Sequence, residues 1–288
     1  RPGHRLRVGR LPERLAPASQ WPARAAAGAL PAGPDTWTDP AAKPGINQSV
    51  SALPSIDPRT VPVLAVDSDL PAVPAERLNA SALRSRFATP PAWTPEVVRE
   101  PKFLDRPPAD AAVLVPLVQN PEGLSVLLTQ RTAHLPTHAG QIAFPGGKVD
   151  AQDSSVQAAA LREAHEEVGL HPRHVEVIGQ LPIYTTGSGF HITPVVALVH
   201  TPFELQPNPG EVDAVFEVPL AFLMDPAHHR RHLLDWQGRQ RQWFSMPYWE
   251  PQTEPNAPVE RFIWGATAGM LRNFYRFLLA DPVEQEMA

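Results

Sequence analysis

Val/Leu-rich runs at Ala111–Gln119 and Leu124–Arg131 flank Asn120-Pro121-Glu122-Gly123. Two such runs around a Pro/Gly turn predict a β-hairpin with a four-residue turn. Gln141–Phe144 reads as a third short strand, and Val175–Leu181 and His191–His200 as two more around the Gly-rich loop Thr185–Gly189. Such a loop offers backbone N–H groups to an anion, but with no helix after it a plain turn is the commoner outcome. Between the third and fourth strands, Asp153, Ser154 and Ser155 offer N-cap oxygens to an Ala-rich run. Gly169 and Pro172 then mark the stop, so a helix is predicted between them. Glu211–Phe222 predicts a strand and the start of a helix, and Gln240–Tyr248 and Arg261–Trp264 a late strand pair. Ala266–Ala280 is an amphipathic helix with Met270, Leu271, Phe274, Phe277 and Leu278 facing inward. Strands, a central helix, more strands and a terminal helix point to an α/β sandwich around a mixed sheet.

The region before this pattern differs. More than half of the 36 prolines precede residue 109. Residues 1–75 hold no sustained apolar period and read as a long, disordered N-terminal extension. Arg1, Arg5, Arg7, Arg10, Arg14 and Arg24 stand against Glu13 alone. Organellar targeting peptides share that bias, yet a basic tail is as good a reading, and the expected location is the cytoplasm. Residues 76–107 follow as an amphipathic helix and a Pro-rich connector. The helix is expected within Ala75–Ala88, with Leu78, Leu83 and Phe87 on one face and three arginines in solvent. The main domain is expected over 108–282, with a tail at 283–288.

Composition narrows the function classes. Hydrophobic residues at 43% allow a full core, and no apolar run approaches the 18 residues of a membrane span. Cysteine is absent, which removes disulfides and thiolate metal sites. A formal charge of −5 carries no nucleic-acid footprint. A polyanionic substrate would need metal ions and local cations against that field. Oligomeric state stays open, a homodimer included.

Candidate chemistry concentrates in residues 145–170, where Pro145-Gly146-Gly147-Lys148 leads into the central helix. Glu163, Glu166 and Glu167 stand three and four apart, so their carboxylates are neighbours on the helix surface and repel one another. A divalent cation reverses that repulsion, because hard ions such as Mg²⁺ take carboxylate oxygen and complete their shell with water and substrate phosphates. Arg162 stands four residues before Glu166. The alternative is a solvated acidic patch.

Arg162-Glu163-Ala164-His165-Glu166-Glu167-Val168-Gly169-Leu170 resembles the core of the Nudix box, the metal-binding loop-helix of the Nudix hydrolases. The segment from Asp153 to Arg162 holds one residue more than the common pattern. Residues 127–147 are similar to the signature that precedes the box in coenzyme A pyrophosphatases. Leu127-Leu128-Thr129, Arg131, Gly140 and Phe144-Pro145-Gly146-Gly147 match, while Gln130 replaces a usual lysine and Thr137 a usual arginine.

The resemblance implies a Nudix-type α/β/α sandwich around a mixed β-sheet, Mg²⁺ or Mn²⁺ as cofactor, and a small nucleotide substrate like coenzyme A. Glu163 and Glu167 would be the main metal ligands and Glu166 a third ligand or a base acting through water. Arg162 would hold the carboxylates in register. Glu211 is a candidate general base, with a surface loop glutamate as the alternative. Arg131, His138, Gln141, Gly146, Gly147 and Lys148 are candidates for substrate binding. For His138 and Gln141 the alternative is hydrogen bonding that shapes the loop. His165 is expected to be exposed, and His228–His232 to be a solvated helix end or loop. The expected activity is hydrolysis of the diphosphate of coenzyme A or its thioesters. Alternatives are a Nudix pyrophosphatase for ADP-ribose, NADH or an oxidised dNTP, and a non-catalytic ligand-sensing module.

Overall fold

A computed structural model describes residues 56–102, 107–135, 138–236, 239–251 and 258–281. The first elements are β1 (Val63–Val66), α1 (Ala80–Ala88), β2 (Ala109–Asn120), β3 (Gly123–Arg131), β4 (Ile142–Ala143) and β5 (Gly146–Lys148). Then come α2 (Val156–Val168), β6 (Val175–Gln180), β7 (Tyr184–Thr185), β8 (Phe190–Val199) and β9 (Val212–Pro219). The chain continues through α3 (Leu220–Leu223), β10 (Arg230–Trp236), β11 (Arg239–Trp249), β12 (Glu260–Trp264) and α4 (Gly265–Leu279).

The larger sheet has the order β4-β3-β2-β8-β6, with β5 also paired to β2, β7 to β8 and β9 to β3. β2 and β8 run parallel from Ala109↔Phe190 to Val118↔Val199, and the other strand ladders are antiparallel. The mixed sheet expected from the element order is therefore present. Its central strands are apolar on both sides because both sides are covered. Along β2, Ala112, Leu114 and Val118 face the α2 side with Ala159, Ala160, Ala164 and Val168. Val113, Val115 and Leu117 face the other side, where α1, α4 and the second sheet supply Leu83, Phe274 and Met246. β8 divides in the same way, Val195 and Ala197 against Val196 and Leu198. An α/β/α sandwich results.

Three local devices set up the functional end. The β2–β3 ladder continues to Asn120↔Gly123, so only Pro121 and Glu122 form the hairpin loop, with Gly123 at φ 132°. Gly146-Gly147-Lys148, which leads into the central helix, is a short strand on β2, with Val113↔Gly146 in register. A Cβ at Gly146 would lie 2.5 Å from the Ala112 carbonyl oxygen, so only glycine permits that approach. The helix α2 is capped by Ser155, whose Oγ accepts the Ala158 N–H at 3.1 Å. It ends at Gly169 in the left-handed conformation, φ 72°.

A second sheet, β1-β10-β11-β12, corrects two expectations. The disordered extension expected over residues 1–75 packs from residue 56 onward. Val61 and Val73 are buried, and β1 pairs with β10. The rest of that extension, residues 1–55, lies outside the described residues, as does the tail 283–288. The His228–His232 stretch is not a solvated loop, since Arg230 to His232 begin β10 and His229 and His232 are buried. His229 Nε2 meets the Leu223 carbonyl at 2.8 Å, and His232 Nε2 meets Ser245 Oγ at 2.8 Å. Burial lowers the His229 pKa to about 4. The imidazole is neutral at pH 7.

Two of the three arginines expected in solvent on the first helical segment work at the far end of the chain. Arg77 and Arg86 donate to the Leu279 and Phe277 carbonyls at 2.7 Å each, filling acceptors that the last turn of α4 leaves open. Arg84 pairs with Glu176 at 2.7 Å. Arg272 of α4, fully buried, reaches Asp67 at 2.9 Å and Glu96 at 2.6 Å, tying the early segment to the last helix.

Candidate active site

Helix α2 lays Arg162, Glu163, Glu166 and Glu167 along one and a half turns beside the β5 edge. Arg162 is the organiser. Its Nε and Nη2 grip Asp153 at 3.0 and 2.9 Å, and Nη2 also reaches the Lys148 carbonyl at 3.2 Å. Its Nη1 donates to Glu163 Oε1 and Glu166 Oε2, both at 3.0 Å. This fork fixes two carboxylates and the preceding loop together, a geometry lysine cannot reproduce. Those bonds raise the Arg162 pKa still further and hold Asp153 below the usual carboxylate range. Asp153, read above as a candidate cap, is spent on Arg162.

Glu167 is the inward member, 4% exposed, its Oε2 accepting the Gly146 N–H at 3.1 Å and its Oε1 lying 3.7 Å from Arg131 Nη1. Burial pushes its pKa up to about 7; Gly146 and Arg131 pull the other way, and the charges of Glu211 and Glu163 add to the rise. Burial also raises the Glu163 pKa, opposed by Arg162 and helped by Glu166 and Glu211. Gly147 lies directly under Glu163, where a Cβ would sit 2.5 Å from the carboxylate. The Gly-Gly pair is thus one residue for the sheet and one for the acid. Glu166 is on the rim, its side chain 58% exposed.

Glu211 comes from the loop before β9, near enough that its charge raises the Glu163 and Glu167 pKa values. The strand β9 begins just after it, and its carbonyl accepts the Thr132 N–H at 3.0 Å, next to Arg131. Its Oε1 accepts from Asn208 Nδ2 at 3.2 Å. Beyond Arg131 opens a cavity of about 390 Å³ lined by Gln130, Arg131, Thr132, His134, Gly140 and Asp213 among others. His138, at φ 58°, pairs its Nδ1 with Gln141 Oε1 at 2.9 Å, so these two shape the loop over Gly140. The Lys148 side chain is exposed, its backbone in β5. Thr137 is outside the described residues. His165 is exposed, as expected. The Thr185–Gly189 loop gives its Gly187 N–H to Glu100 at 3.1 Å. Asn208 was missed in the sequence, although Asn-Pro-Gly-Glu is a strong turn signal.

Among the described residues, no three His, Cys, Asp or Glu side chains come together as a group that could hold a metal ion by themselves. The donor set nonetheless fits a hard divalent cation. Glu163 and Glu166 share Arg162, Glu167 lies 3.7 Å from Arg131, and burial raises the pKa values of Glu163 and Glu167, a cost that a bound cation would offset. Such ions keep several waters and take substrate oxygens, so they need few protein ligands.

Residues 108–237 match the NUDIX domain family. Uncharacterized Nudix hydrolase NudL of Shigella flexneri is 45% identical over 181 residues, covering 62% of this chain and 85% of that protein. The protein of that name from Escherichia coli O1:K1 is 47% identical over 165 residues, 56% of this chain and 79% of the relative. Among solved structures, a Nudix hydrolase from M. smegmatis, RenU, aligns at 28% identity over 40% of this chain and 73% of its own, with a TM-score of 0.35. The family match and these relatives make the chain a hydrolase of acid anhydrides, in a family that generally uses divalent metal ions. The chain belongs to the Nudix hydrolase family.

Proposed function

We propose that this enzyme hydrolyses the diphosphate of coenzyme A or an acyl-coenzyme A. The products would be 4′-phosphopantetheine, or its acylated form, and adenosine 3′,5′-bisphosphate. The observation that carries the hydrolytic part is the pair of carboxylates Glu163 and Glu167, seated on Gly147 and Gly146, with Glu163 held by Arg162 and Glu167 near Arg131. Support for the substrate comes from the similarity of residues 127–147 to the coenzyme A pyrophosphatase signature.

Glu163 and Glu167, with Glu166 at the rim, would hold Mg²⁺ or Mn²⁺, which when bound neutralises the diphosphate and polarises its oxygens. Arg162 keeps Glu163 and Glu166 from splaying apart. Arg131, between Glu167 and the cavity, is placed to take a phosphate oxygen, and the cavity beyond it to take the adjoining part of the substrate. Glu211, near Glu163 and Glu167 on the loop before β9, would accept the proton of an attacking water. Phosphoryl transfer needs little covalent work from side chains, so positioning and charge carry most of the rate. A pure ligand sensor has no use for carboxylates crowded at this cost.

The test is turnover of coenzyme A, acetyl-coenzyme A, ADP-ribose, NADH and dNTPs with Mg²⁺. Coenzyme A or its thioester should have the highest kcat/KM. Equal or absent turnover of coenzyme A removes the substrate assignment, and absent turnover of the whole panel removes the hydrolytic one.

A further inference from the structure

Asn208 has no part in the reading above, yet five hydrogen bonds converge on it. Its N–H donates to the Glu167 carbonyl at 2.8 Å, and its own carbonyl accepts from Glu211 N–H at 3.0 Å and Val212 N–H at 2.9 Å. Its Oδ1 accepts the Gly210 N–H at 3.0 Å, and its Nδ2 donates to Glu211 Oε1 at 3.2 Å. The amide orientation follows from chemistry: a backbone N–H can only donate, so the oxygen faces Gly210 and the NH₂ faces Glu211. The turn is stiffened by Pro209 and anchored by a second bond, Gln206 N–H to the Val168 carbonyl at 2.8 Å. Helix α2 leaves its last carbonyls without intrahelical partners, and here the loop fills two of them.

We propose that Asn208 is a positioning residue that fixes the Glu211 carboxylate relative to Glu163 and Glu167. The end of α2 is held by the Asn208 backbone, while Glu211 is held by its side chain. One residue therefore links the end of α2 to the Glu211 carboxylate. A glutamate in a loop samples several rotamers when free, and a donor at 3.2 Å from one oxygen selects among them. The Asn208 amide is also neutral, so it orients Glu211 without lowering the negative charge that a base requires, as an arginine there would.

This inference rests on the hydrolytic reading with Glu211 as base, and a double-mutant cycle separates the two. Asn208→Asp keeps an acceptor for the Gly210 N–H but sets a like charge against Glu211. It should lower kcat on the best substrate of the panel about tenfold or more, with KM and Mn²⁺ affinity within about twofold of wild type. Glu211→Gln alone should lower kcat about 10²-fold. In that background Asn208→Asp should change kcat by less than about twofold, because the new carboxylate can accept from the Gln amide. Asn208→Ser keeps the turn acceptor and cannot reach Glu211, and it should reproduce the result if the Asp variant melts early. Equal losses in both backgrounds, or an Asn208→Asp enzyme at wild-type rate, overturn the positioning role while leaving the hydrolase intact. Wild-type turnover by Glu211→Gln overturns it too. No turnover of any substrate by the wild-type enzyme overturns the hydrolytic reading itself.

Discussion

Glu167→Gln should make the metal-free protein more stable while destroying its catalysis. The Glu167 carboxyl moves from an ordinary 4.5 to about 7, and burial is the largest cause. At about 1.4 kcal/mol per tenfold change, ionising it in the folded, metal-free state is unfavourable by about 3 kcal/mol. The sign is fixed by linkage. Between about pH 4.5 and 7 the folded state binds more protons than the unfolded chain, so stability falls as pH rises through that window. Glutamine is isosteric, still accepts the Gly146 N–H, and carries no charge to desolvate. Losing the 3.7 Å contact with Arg131, whose buried Nε has no hydrogen-bond partner among the described residues, offsets part of the gain. A net gain of about 1–3 kcal/mol is expected at pH 8. Urea unfolding in EDTA at pH 8 and pH 4.5 reads it directly, with the gain present at the first and absent at the second. Mg²⁺ at 100 times its Kd should add about 2.7 kcal/mol to the wild type and little to the variant. Turnover should drop about 10³-fold, since a ligand and its charge are gone. A variant less stable than wild type at pH 8 without metal, or equally stabilised at both pH values, would refute the reasoning.

Gly147→Ala places a methyl 2.5 Å from the Glu163 carboxylate, which must swing away. Metal affinity, read from the Mg²⁺ dependence of the rate, should weaken about 10–100-fold, with far-ultraviolet circular dichroism unchanged. Leu83→Ala removes a fully buried side chain of α1 and should lower unfolding free energy by about 2–5 kcal/mol in urea. A change below about 0.5 kcal/mol would mean α1 is not part of the cooperative fold.

The long strands of the larger sheet were readable in the sequence, β2 and β8 because they are apolar on both faces, and so was α2, capped at both ends; the short strands β5 and β7 were not. The second sheet was only half readable. β10 carries Arg231 and His232 at positions facing protein. Their partners, Asp67 at 2.7 Å from Arg231 and Ser245 beside His232, are remote or strand-paired residues that no local period reveals. The same holds for Arg77 and Arg86, whose acceptors lie about two hundred residues away. In the site, spacing alone grouped Glu163, Glu166 and Glu167. It did not rank them, and burial does: Glu167 inside, Glu163 at the boundary, Glu166 outside. Asp153 as the partner of Arg162, and Asn208 as the partner of Glu211, depend on how loops fold back.

Catalysis requires that α2 present its acids to a divalent ion. Titrating Mn²⁺ into the protein while following the free-ion electron paramagnetic resonance signal tests this most directly. Wild type should deplete the signal saturably, and Glu163→Gln/Glu167→Gln should leave it close to that of buffer. Equal depletion by both proteins would contradict the claim and place the ion elsewhere.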